Sequence, residues 1–182
     1  MRRSNAGLFW PVLVLVTAID FCTKAVAANR LQIDSLPHPV VGDWMRFTLV
    51  HNPGAAFGLH VGSHSRWIFM VLTVIALFIL GKLYHATRIG DSVRVFSLAL
   101  VCGGALGNLI DRVVSVQGVV DFIDIGMGDS RWPTFNVADM AVSMGAFLLA
   151  WVLWGEDSEN DLVAVPTTTP TPATVTVESR EL

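Results

Sequence analysis

The chain has 182 residues, of which 53% are hydrophobic and only 15% charged, with a formal net charge of −3. Soluble domains carry about 25% charged residues, so the balance points to a membrane, and the length suits one domain. Nucleic-acid binding would call for a concentrated basic face, which this composition does not supply.

The first apolar segment runs from Leu8 to about Ala28. Arg2-Arg3, this run and Ala25-Val26-Ala27 also mimic a cleavable signal peptide with a small-x-small site. Asp20 and Lys24 break the run where a signal peptide stays uncharged, which favours a retained helix. These two residues are four apart, on one helical face, and are expected to form a structural pair that ties the helix to the loop after it. Cys22, preceded by Asp20-Phe21, is a poor lipid-attachment site. Neither Cys22 nor Cys102 has a metal-ligand or disulfide spacing, and both are expected to be small packing residues.

Residues 29–66 form a polar stretch in which Trp44 to Val50, rich in aromatic and β-branched residues, predicts a strand. It leads into His51-Asn52-Pro53-Gly54, a turn signal. The second apolar segment spans Trp67 to about Tyr84 and the third Val93 to Ile110. Gly103, Gly104 and Gly107 on the third let another helix approach closely. Asn108, Asp111 and Arg112 close that segment, and Asp111 is expected to be compensated by its neighbour Arg112 while it orients the following loop. The loop from Arg112 to Phe135 resembles the first in character, so a small β element built from both is expected at one membrane face.

The fourth segment runs from Val137 to Trp154. A span needs ~20 apolar residues at 1.5 Å per residue to cross a ~30 Å core, so the third and fourth are short and need help from their polar ends. Residues 156–182 turn acidic and then Thr/Pro-rich, and are expected to form a disordered cytoplasmic tail. The four-helix domain is residues 1–155. Lys82, Arg88 and Arg94 around the second loop favour both termini inside, although Arg30, Arg46, Arg66, Arg112 and Arg131 on the other side weaken the bias.

Two acids stand where charge is expensive. Asp121 sits in an apolar run just after the third segment, and Asp139 opens the fourth. Asn136 followed three residues later by Asp139 also has the form of a capping box, a purely structural role. A short loop joins the two aspartates, so both lie at one membrane face. Two carboxylates sharing a site cannot easily both ionise, and such a pair suits amide hydrolysis by activated water. The helix dipole favours the charged form of Asp139 and makes it the expected base. Asp124 and Asp129 are not excluded by spacing. A proton- or cation-coupled transporter is the alternative class, but it calls for an acid with a path to both sides.

Asp20-Phe21-Cys22-Thr23-Lys24, Asn52-Pro53-Gly54-Ala55-Ala56-Phe57, the run from Gly103 to Arg112, Val119-Val120-Asp121-Phe122, and Phe135-Asn136-Val137-Ala138-Asp139 resemble, in order, the blocks of the bacterial lipoprotein signal peptidases (signal peptidase II). The resemblance covers roughly residues 8–154. It implies an all-α membrane protein with four transmembrane helices and a small periplasmic β-platform, a monomeric aspartic endopeptidase of the inner membrane. The implied reaction cuts a diacylglyceryl prolipoprotein before its lipidated cysteine and is sensitive to globomycin. Catalysis would fall to Asp121 and Asp139, support of the dyad and substrate to Asn52, Gly54, Asn108, Arg112 and Asn136, and structure to Asp20, Lys24 and Asp111. No metal or organic cofactor is implied. Pro53 and Gly54 would give the first loop a turn able to act as a lid.

Overall fold

Each apolar segment is a helix in the computed structural model, which describes residues 4–33, 36–54 and 64–163, with 156–163 described by backbone alone. The helices are α1 (Ala6–Arg30), α2 (Ser65–Ala86), α3 (Ser92–Val114) and α4 (Val137–Val163). Each holds an apolar window long enough to cross a bilayer, because backbone groups in hydrocarbon must bond within their own segment. Two helices outrun their apolar segments. α3 runs on past Ile110 to Val114, and the backbone of α4 continues beyond Trp154 through residues 156–163, where the sequence places the start of the tail. Residues 164–182 lie outside the described residues.

α3 is the central helix. Half of its apolar window is buried inside the bundle, against none of that of α2, which faces the surroundings along its length. Its small residues explain the position. A Cβ on Gly103 would come within 3.0 Å of the Leu13 carbonyl oxygen of α1, and one on Gly104 would strike the Ala138 carbonyl oxygen of α4. On the facing side of α4, a Cβ on Gly145 would lie 2.7 Å from the Ser97 carbonyl oxygen. Between helices in lipid there is little hydrophobic drive, so close backbone approach and interhelical hydrogen bonds do the packing. Thr17 Oγ1 supplies one such bond, donating to the Gly103 carbonyl at 3.0 Å. Cys102 packs with Phe9, Val95, Leu98 and Ala99. Cys22 does not pack inside the bundle as expected. It is exposed on α1 and lines an apolar groove with Val26, Phe47 and Phe122, because the inward face of that turn is taken by Asp20 and Lys24.

The two long loops build one antiparallel sheet, as their composition predicts. Its strands are β1 (His38–Val41), β2 (Met45–Asn52), β3 (Val119–Met127) and β4 (Ser130–Arg131), in the order β1-β2-β3-β4. β2 and β3 pair with Val50 opposite Asp121 and Asn52 opposite Val119. Asp124 fastens the platform: it accepts from Arg46 Nη2 and Arg131 Nε, both at 2.8 Å, and from Thr48 Oγ1 at 3.2 Å.

Candidate active site

Asp121 reaches its place by strand pairing, and Asp139 by helix capping. The two are joined through Phe135, whose N–H donates to the Ile123 carbonyl at 3.0 Å while its own carbonyl accepts from Ile123 N–H at 2.8 Å. That bridge lays the residue before the α4 cap alongside β3, so that Asn136 meets Asp121.

Asn136 is fully buried and touches both acids. Its Oδ1 accepts from the Asp139 N–H at 2.9 Å, and its own N–H donates to Asp139 Oδ2 at 3.1 Å. This is the reciprocal capping box that the spacing predicts. The same side chain also donates from Nδ2 to Asp121 Oδ1 at 2.7 Å and to the Val120 carbonyl at 3.3 Å. The cap thus puts the Asp139 carboxylate on the same asparagine that bonds Asp121.

Further amides complete the shell. Asn108 Nδ2 donates to Asp139 Oδ1 at 2.8 Å, so both Asp139 oxygens accept an N–H. Asn52 Nδ2 donates to Asp121 Oδ2 at 3.1 Å, while its Oδ1 accepts from the Gly54 N–H at 3.0 Å. Gly54 has φ of +119°, and a Cβ there would meet Phe69 at 2.7 Å, so only glycine suits this turn. The block containing Asn52 continues into Ala55, Ala56 and Phe57, which lie outside the described residues. A lid role for Pro53 and Gly54 falls partly on that same stretch.

Asp121 is 3% exposed, whereas Asp139 is partly open. Burial, followed by the neighbouring charge of Asp139, pushes the Asp121 pKa up to about 7, against the opposing hydrogen bonds from Asn52 and Asn136. Asp124 behaves in the opposite way. Burial raises it, but the hydrogen bonds and charges of Arg131 and Arg46 outweigh burial and hold its pKa below the usual carboxylate value. It belongs to the platform, and Asp129 is exposed in the β3–β4 turn.

The polar residues beneath the acids differ from expectation in two respects. Lys24 pairs with Asp20 at 2.7 Å, but the pair ties α1 to the neighbouring helices rather than to its own loop. Asp20 Oδ1 accepts from the Ala138 N–H at 2.8 Å, capping α4 from outside, and Lys24 reaches Asp111 Oδ2 at 2.9 Å. A Cβ on Gly107 would lie 2.5 Å from Asp20, so glycine there admits the carboxylate. The ion-pair partner of Asp111 is thus Lys24, and Arg112 acts on it only as a neighbouring charge, since consecutive residues on a helix do not face each other. Asp111 does orient the loop, accepting from the Val120 N–H at 3.3 Å. Arg112 Nη1 donates to the Asn108 carbonyl at 3.1 Å and its guanidinium lies over Phe69, 5.7 Å from the ring centre. Its buried Nε has no hydrogen-bond partner among the described residues.

Neither of the apolar grooves along α1 and α4 includes Asp121 or Asp139. Among the described residues no group of three or more His, Cys, Asp or Glu side chains is arranged to hold a metal ion.

Comparison with known proteins gives one consistent result. The family model for signal peptidase (SPase) II matches residues 12–155. A lipoprotein signal peptidase from Polynucleobacter necessarius subsp. necessarius is 40% identical over 159 residues, covering 86% of this chain and 93% of the relative. One from Moorella thermoacetica is 41% identical over 146 residues, covering 80% and 91%. A solved structure described as a bacterial membrane enzyme at 2.3 Å superposes with a TM-score of 0.74 at 30% identity, covering 87% of this chain and 94% of that one.

Proposed function

The chain belongs to the signal peptidase II family of aspartic peptidases, and from that premise we propose that it removes signal peptides from diacylglyceryl-modified prolipoproteins, using Asp121 and Asp139 to activate water. The observation that carries this reading is that one fully buried asparagine, Asn136, is hydrogen-bonded to both acids.

Asp139 is the base. It is the more open of the two and takes a proton from water as the oxygen attacks the scissile carbonyl. Asp121 is the acid. With a pKa of about 7 it carries a proton near neutrality and supports the carbonyl oxygen. When the tetrahedral intermediate collapses, the C–N bond breaks, the leaving nitrogen takes a proton from the dyad, and the cycle closes.

Arg112, whose buried Nε has no hydrogen-bond partner among the described residues, binds a carbonyl of the substrate peptide. Asn52 and Gly54 hold Asp121 and border the peptide path. The acyl chains remain in the bilayer while the peptide bond reaches the dyad. The dyad lies at the sheet end of the bundle, away from Lys82, Arg88 and Arg94, and so at the periplasmic or extracellular face of a bacterial cytoplasmic membrane.

The test is purified protein with a diacylated lipopeptide, followed by mass spectrometry of the products. Cleavage immediately before the lipidated cysteine, blocked by globomycin, is expected. An uncut lipopeptide, or a cut elsewhere that globomycin leaves untouched, overturns the substrate assignment.

A further inference from the structure

Lys24 is 3% exposed, and its ammonium meets three groups: the Asp20 carboxylate at 2.7 Å, the Asp111 carboxylate at 2.9 Å, and Asn108 Oδ1, to which it donates a hydrogen bond at 2.8 Å. The second of these contacts ties α1 to α3, while the first lies within α1. The third does something different. Asn108 Oδ1 accepts from Lys24 and, at 3.2 Å, from Asn136 Nδ2, while its Nδ2 donates to Asp139 Oδ1. An amide has one accepting end and one donating end. Turning Asn108 over would set its NH2 against an ammonium that cannot accept, and its carbonyl against a carboxylate that cannot donate. The charged donor contributes the stronger of the two bonds on Oδ1.

We infer that Lys24 is a positioning residue for the reaction: through the amide of Asn108 it fixes an N–H donor on Asp139 and so holds that carboxylate in one orientation. Lys24 makes no hydrogen bond or ion pair with either aspartate of the dyad, and its hydrogen-bonded route to Asp139 runs through the one side chain of Asn108. The inference rests on the proposed dyad for its catalytic consequence, but the locked amide is a geometric claim that stands apart from it.

Removing Lys24 alone would strand two acids, so the test uses a pair of variants in which both acids are already amides. Asp20→Asn/Asp111→Asn keeps Lys24 and gives it amide oxygens to bond, and it serves as the reference. Asp20→Asn/Asp111→Asn/Lys24→Met differs from it only by the ammonium. With the lipopeptide, kcat per folded molecule is expected to fall roughly 10²-fold from the double to the triple variant, the scale of a misoriented reacting group, while KM holds. Equal kcat in the two variants, or a loss confined to KM or to the folded fraction, overturns the inference and leaves Lys24 a helix tie. A second measurement does not depend on turnover: the side-chain 15N resonances of Asn108 in asparagine-labelled protein. These are expected to shift or split in the triple variant relative to the double, and identical resonances would refute the locked amide. Wild-type protein that leaves the lipopeptide uncut would count against the proposed substrate, while the resonances would still decide the lock.

Discussion

Replacing Asp121 by asparagine should raise stability at alkaline pH as well as remove activity. In the fold the Asp121 pKa rises from 3.8 to about 7. A raised carboxylate binds its proton more tightly when folded, so its contribution to stability is fully present below the ordinary value and is lost as pH climbs through the folded one. A gap of about 3 units at ~1.4 kcal/mol each gives about 4 kcal/mol lost between pH 4 and pH 8. Asparagine does not titrate. It forfeits one accepting oxygen against Asn52 or Asn136, a cost of about 1–3 kcal/mol that does not change with pH. The unfolding free energies of Asp121→Asn and wild type, measured in mixed micelles with rising dodecyl sulfate, should therefore diverge in favour of the variant as pH rises. In an Asp139→Asn background the divergence should shrink, because the second cause of the shift is removed while burial stays. A difference independent of pH from 4 to 8 would refute the argument that Asp121 is held protonated by burial and by its neighbour.

Other outcomes follow from the same geometry. Asn136→Ala should lose the α4 cap, about 1 kcal/mol, and hydrogen bonds to both acids, so thermal unfolding should come earlier and turnover should fall by more than the folded fraction does. Gly54→Ala should lower kcat in the lipopeptide assay, since it strains a positive φ and pushes a methyl into Phe69. Asp124→Asn should destabilise the platform, and since its pKa is held low the wild type should lose that stability only as pH falls through the acid range, read by melts between pH 2 and 6. Asp129→Asn, at an exposed turn, should leave both melting and turnover where they were.

The helices were legible because hydrocarbon admits little else, and long apolar runs announce them. Their ends were less so: Asp111 and Arg112 read as closing α3, yet the helix runs on to Val114, because those polar residues find partners in the bundle that hydropathy cannot register. At the site, the spacing of Asn136 and Asp139 signalled a cap, yet nothing local indicates that the same asparagine reaches back to Asp121, since that contact depends on the Phe135–Ile123 bridge. The Asp20–Lys24 pair was visible as a four-residue spacing, whereas its reach to Ala138, Asp111 and Asn108 needs close packing at Gly107 and Gly104. Asp124 and Asp121 have similar sequence surroundings and opposite fates, decided by two arginines, one of them far away in the chain.

The most direct trial is turnover of a diacylated lipopeptide by purified Asp121→Asn and Asp139→Asn, each checked by melting to be folded. Both should leave the lipopeptide whole under conditions where the wild type cuts it before the lipidated cysteine. Cleavage by either one near the wild-type rate would contradict the claim that the two carboxyl groups act together on water.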